Sequence, residues 1–142
     1  MRLAAAIFVS SLALGSDLSD PKLTPGVSVN VSVAKLCKPG YAKSVRNVRR
    51  SVNKRVYKEY GIQSHRPGQY EVDHLISLEL GGSNDIKNLW PQPYEGEWNA
   101  HMKDRLEDEL HAMVCAGKVS LPQAQEWISK DWVSAYSRII GK

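Results

Sequence analysis

Apolar residues are spaced along the chain in two different rhythms, and each rhythm predicts a kind of element. From Tyr41 to Tyr60, Val45, Val48, Val52 and Val56 recur at steps of three, four and four, which predicts one amphipathic helix with the intervening Arg and Lys side chains turned outward. Gly61 stands where a left-handed cap would end that helix. Tyr70 to Leu80 reads instead as a strand, since Val72, Ile76, Leu78 and Leu80 fall in near alternation. The following Gly81-Gly82-Ser83-Asn84-Asp85 is dense in turn formers, so a hairpin is expected. Its return strand should be short, about Asn88 to Trp90, because Pro91 and Pro93 cannot donate to a ladder.

Helical spacing then returns. Trp98, Met102, Leu106, Leu110 and Met113 predict a helix from Trp98 to Val114, closed before Gly117. A last helix is expected from Ser120, a capping residue with Gln123 three positions on, through Trp127, Ile128, Trp132, Tyr136 and Ile139. The order strand, strand, helix, with one helix before it and one after, gives an α+β fold class.

The ends of the chain carry other signals. Arg2, the apolar run Leu3 to Leu14 and the small residues Gly15 and Ser16 have the order of a secretory signal peptide cleaved near Ala13 to Ser16. The run falls short of the ~20 apolar residues a spanning helix needs. Residues 17–33, rich in Pro, Gly and Ser with weak alternation at Val27, Val29 and Val31, read as an extended arm, and residues 34–142 as a single domain. Export, to the periplasm or beyond the cell, is the expectation. The two cysteines remaining after cleavage, Cys37 and Cys115, lack the close spacing of a zinc or redox motif. They read as one disulfide in an oxidising compartment, with two buried free thiols as the alternative.

Charge changes the picture more than composition does. The net charge is +4, but residues 34–69 hold ten Lys or Arg against one acid, and residues 70–109 hold ten acids against three bases. A basic surface for a polyanion beside an acidic pocket for a cation is one explanation. Two solvated faces that attract one another is the other.

The chemistry concentrates in residues 70–107. Asp73-His74 on the expected strand is followed by Gly81-Gly82 at the turn and by Asn88-Leu89, with Asn88 fourteen residues after His74. This ordered set resembles the HNH endonucleases of the ββα-metal, or His-Me finger, superfamily. The resemblance implies a ββα-metal core, a metal-dependent nuclease acting on DNA or RNA with little sequence specificity, and one divalent ion. A neutral imidazole is well suited to take a proton from water near neutral pH, so His74 is the expected general base. Asp73 is the expected metal ligand, and a cation there would stabilise the departing oxygen. Adjacent strand residues point to opposite faces, so both can serve one site only if the strand is twisted or bulged at its end.

By the same resemblance Asn88 holds His74 and the turn in register, and the following helix supplies a second ligand, Asn99 or His101. This chain places those candidates farther from Asn88 than the family pattern does. Magnesium or manganese suits Asp73 with Asn99, whereas His101 would favour zinc, nickel or manganese. Arg46, Arg49, Arg50, Lys54 and Arg55 on the basic helix, with Lys103 one turn after Asn99, are the expected phosphate contacts. Asp104 and Glu107 read as outer carboxylates or solvated surface, and His65 and His111 as surface or packing residues. A monomer is expected, with an inhibitor protein as a further partner if the chain is an effector. The rival reading is an exported nucleic-acid-binding or interaction protein whose hairpin is only structural.

Overall fold

The computed structural model describes residues 17–141, so the expected signal peptide lies outside the described residues. The fold is α+β: helices α1 (Val33–Leu36), α2 (Tyr41–Val45) and α3 (Arg50–Glu59) precede strands β1 (Tyr70–His74) and β2 (Leu89–Pro93), and α4 (Ala100–Cys115) and α5 (Leu121–Ile139) follow. The strands form a two-stranded antiparallel sheet in which Tyr70 lies opposite Pro93 and His74 opposite Leu89. None of the described helices is long and apolar enough to cross a membrane.

The core lies where α4 and α5 pack together. Leu106, Leu110 and Val114 of α4 meet Ala124, Ile128, Trp132, Ala135 and Tyr136 of α5, with Leu36, Tyr41, Ile76 and Leu80 closing the cluster. The last helix is capped as its sequence suggests, Ser120 Oγ accepting from Gln123 N at 3.2 Å, whereas α4 starts at Ala100 rather than Trp98 because Asn99 Oδ1 caps it, accepting from Met102 N at 3.3 Å. Within α5, Asp131 has non-helical dihedrals. Its carboxylate accepts from the amide and the hydroxyl of Ser134, which restarts the helix at Trp132. The Cys37–Cys115 disulfide ties the end of α1 to the end of α4.

Three expectations fail in informative ways. The long helix from Tyr41 to Tyr60 is broken, with Arg46 and Arg49 both in extended conformation between α2 and α3. The side-chain amide of Asn84 bridges the break, since its Nδ2 donates to Val45 O at 2.8 Å and its Oδ1 accepts from Asn47 N at 3.2 Å. Backbone groups freed from the helical ladder are thereby satisfied by an amide of matching shape. The second half ends as expected: Gly61, at φ +70°, lets its own amide reach Lys58 O and that of Ile62 reach Tyr57 O.

The second failure is the strand, which stops at His74 rather than Leu80. Ile76, Leu78 and Leu80 are all buried, because the chain after His74 coils through a 3-10 turn at Leu78–Leu80 rather than alternating between two faces. The third is the return strand, which runs through both prolines. The bonds Leu75 N to Asn88 O and Tyr94 N to Gln69 O set the ladder phase. Pro91 and Pro93 fall in the opposite phase, with their nitrogens turned away from β1, where a two-stranded sheet needs no donor.

The arm folds back over the hairpin connection. Ser28 bridges Gly82, Val29 N donates to Gly81 O, and Ser83 N donates to Val27 O. Thr24 Oγ1 donates to Leu89 O at 2.9 Å, and Trp132 Nε1 donates to Asp17 O at 2.9 Å. Gly82 is required by close approach: a Cβ there would lie 1.7 Å from Ile76 O.

Candidate functional site

A cleft of about 340 Å³ opens where β1 ends, lined by Asp73 and His74 of the strand, Ser77, Leu78 and Glu79 after it, Ala42 and Arg46 at α2, and Asp104, Glu107 and Asp108 of α4. The strand end resolves the geometric demand placed on adjacent residues. His74 is the last residue of β1, and both it and Asp73 line the same cleft.

The His74 ring is only 4% exposed, and its Nε2 lies 3.1 Å from Asn84 Oδ1. Asn84 cannot turn its amide the other way, because Nδ2 is held by Val45 O and Oδ1 by Asn47 N. An acceptor oxygen therefore faces Nε2, the ring carries its proton there, and Nδ1 is the basic nitrogen of the neutral form. Burial pushes the His74 pKa below the ordinary imidazole value; the Asn84 bond and the Asp73 charge oppose this, while Arg46 and Lys103 reinforce it. The neutral base is the form favoured at neutral pH.

Lys103 is the residue whose placement departs most from expectation. It was expected to face a phosphate, yet it is 0% exposed. Its Nζ donates to Asp73 Oδ2 at 2.7 Å, to the main-chain oxygen of His74 at 2.9 Å, and to Glu107 Oε1. Burial works against the ammonium, but the Asp73 charge and the hydrogen bonds to Asp73 and Glu107 outweigh it and hold the pKa above the usual lysine value. Burial pushes the Glu107 carboxyl up to about 8; Lys103 pulls it down, and Asp73 and Asp104 add to the rise. Burial also raises the pKa of Glu79, with Asp108 adding to it, and that of Asp104, with Asp73 adding to it. The cleft is acidic apart from Arg46 and the enclosed Lys103. Ser77 Oγ, also in the cleft lining, is buried without a hydrogen-bond partner among the described residues.

Asn88 is fully buried behind the cleft. Its Oδ1 accepts from Ile76 N and Val27 N, and its Nδ2 donates to Ile76 O and Ser83 O. It thus clamps the segment leaving His74 to the loop and to the arm.

The remaining expected site residues lie apart from the cleft lining. Asn99 is committed to its cap and to Gly96 O. His101 is exposed, its ring 5.8 Å from that of Tyr94. Of the basic row, Arg46 alone lines the cleft. Arg49 is the residue before α3, Arg50 and Lys54 are exposed on it, and Arg55 pairs with Glu59 at 2.8 Å. Asn84, inside the Gly-Gly-Ser-Asn turn, is the site partner not expected from the sequence, while Glu107, expected as an outer carboxylate or solvated surface, is the partner of Lys103 one helical turn away.

The divalent ion implied by the resemblance does not fit the residues chosen for it. Asp73 already holds the Lys103 ammonium, Asn99 is spent on its cap, and His101 stands outside the cleft lining. Among the described residues, the one set of three His, Cys, Asp or Glu ligand atoms within 4.8 Å of one another is Cys37, His111 and Cys115. Those donors suit a metal by type, but the two sulfurs are joined to each other and carry no thiolate charge in this form.

Comparison of the chain with protein-family models, with curated proteins and with solved structures returns no match.

Proposed function

We propose that the chain is a phosphodiester hydrolase acting on DNA, with RNA as the second candidate substrate, and that β1, β2 and α4 form an HNH-like ββα unit around His74. The observation that carries this reading is that His74, which lines a cleft with Arg46, has its Nε2 bonded to an orientation-locked Asn84. A neutral ring with one nitrogen committed and the other free is a ready general base. Water loses a proton to Nδ1 as its oxygen bonds to phosphorus, the opposite P–O bond to the sugar breaks, the departing oxygen takes a proton from solvent, and the Arg46 guanidinium grips a non-bridging oxygen of the phosphate. The acidic wall of α4 repels the rest of the polyanion and so favours a single phosphate entering beside Arg46. The exposed bases of α3 add contacts that do not depend on sequence.

The test is nicking of supercoiled plasmid by the purified chain beside its His74→Ala variant. Cleavage that depends on His74 is the expected result. Salt-sensitive DNA binding with no cleavage under any condition would favour a nucleic-acid-binding module instead.

A further inference from the structure

The oxygens around Lys103 Nζ are two carboxylates and a main-chain carbonyl, from Asp73, Glu107 and His74. Such a set of hard oxygen donors is what a divalent cation such as magnesium or manganese takes in proteins. Here an ammonium occupies the centre. Its three N–H donors meet three acceptors, so its hydrogen-bonding capacity is filled. Its side chain is 0% exposed, and α4 buries Lys103 in the same row as Ala100, Leu106 and Leu110. An ion entering this position would have to expel a fully buried, charged side chain from its three oxygen partners.

We propose that Lys103 is the resident cation of this site: its ammonium fills the position on Asp73 that a metal would take, and hydrolysis in the cleft proceeds without a divalent ion. Lys103 touches no substrate in this arrangement. It is a positioning residue that fixes the His74 backbone through the carbonyl and neutralises Asp73, which leaves Arg46 as the cationic group that meets phosphate. The statement about hydrolysis rests on the proposed nuclease activity, whereas the statement about Asp73 does not.

The two are separated by measuring manganese binding directly. Metal-stripped full chain is titrated with MnCl2 by calorimetry, melted with and without MnCl2, and assayed for plasmid nicking in EDTA. The expected results are no stoichiometric heat, no manganese-dependent rise in melting temperature, and nicking that EDTA leaves unchanged. Removing the ammonium should create the missing metal site, so Lys103→Ala should melt lower than the parent and regain stability when MnCl2 is added. A one-to-one manganese site in the parent chain that disappears in Asp73→Asn would overturn the proposal, as would nicking abolished by EDTA and restored by MnCl2. If Lys103→Ala does not fold, the parent titration decides alone. Absence of nicking under all conditions would count against the nuclease reading and leave the manganese titration as the test of Asp73.

Discussion

The side-chain oxygen of Asn84 sits 3.1 Å from His74 Nε2, and the same oxygen accepts the amide of Asn47 in the break between α2 and α3. One amide therefore joins the break that places Arg46 to the ring that would accept the proton. Replacing Asn84 by Ala should lower turnover by about tenfold to a hundredfold, within the range that general-base catalysis contributes. Binding of oligonucleotides by the same variant should change less. Equal losses in both would mean that the residue shapes the fold alone.

The pH profile follows from the groups around the ring. His74 faces Asp73, Asn84, Arg46 and Lys103, and burial dominates among the influences that lower its pKa. Activity should accordingly persist below the ordinary imidazole range, with its acid limb under pH ~6.5. Asn84→Asp would set a carboxylate against Nε2, stabilise the imidazolium and move that limb to higher pH. NMR titration of the ring in both proteins measures the shift; a limb that stays in place would remove His74 as the titrating base.

Stability should carry the opposite signature of Glu107. Its folded pKa, about 8, lies above the unfolded value of 4.5, so the native state binds the extra proton between those values. The resulting stability is complete below pH 4.5 and is lost as pH rises through 8. Glu107→Gln keeps an acceptor for Lys103 without that ionisation. Its melting temperature relative to the parent should therefore improve between pH 5 and pH 8, as read by thermal melts at the two values. A parallel fall in both proteins would show that Glu107 is ionised throughout.

Arg46 should matter more than its basic neighbours. Loss of a charge-assisted bond to phosphate costs about 1.5–3 kcal/mol, so Arg46→Ala should reduce kcat/KM by about ten- to a hundredfold. Arg49→Ala and Arg50→Ala, which lie outside the cleft lining, should each mainly lower the salt dependence of binding. Equal kinetic effects at all three positions would place the reacting phosphate elsewhere.

The disulfide spans 78 positions of sequence. Closing a loop of that length stabilises the fold by about 4–5 kcal/mol in the chain-entropy model. A Cys37→Ser, Cys115→Ser double variant should lose that amount in urea denaturation. A loss below about 1 kcal/mol would mean that the unfolded chain is already compact there.

Much of this arrangement could be read from the chain, and the exceptions share a cause. The apolar row of α5, the Leu106 and Leu110 part of the row on α4, the pairing of Cys37 with Cys115 and the cap at Gly61 follow from local spacing and residue chemistry, and each matches the fold. The break after Val45 was illegible because valine spacing runs straight through it, while the amide that stabilises it comes from Asn84, nearly forty residues away. Lys103 misled for the same reason. A lysine on a helix is ordinarily solvated, and the carboxylate that draws this one inward is Asp73, thirty positions earlier. The end of the strand is not legible either, because alternation of Ile76, Leu78 and Leu80 is equally compatible with a coil whose side chains all turn inward. The candidate site could thus be located from Asp73 and His74, but its charge balance depended on contacts between distant segments.

Two parts of the cleft lining belong to α2, with Ala42 and with Arg46 just past its end, and to α4, with Asp104, Glu107 and Asp108. The bridge from Cys37 to Cys115 fastens the approach to α2 to the far end of α4. That covalent tie limits how far α1 and the end of α4 can separate, so if the cleft takes a phosphate as proposed, reduction of the bridge is the change expected to loosen its walls.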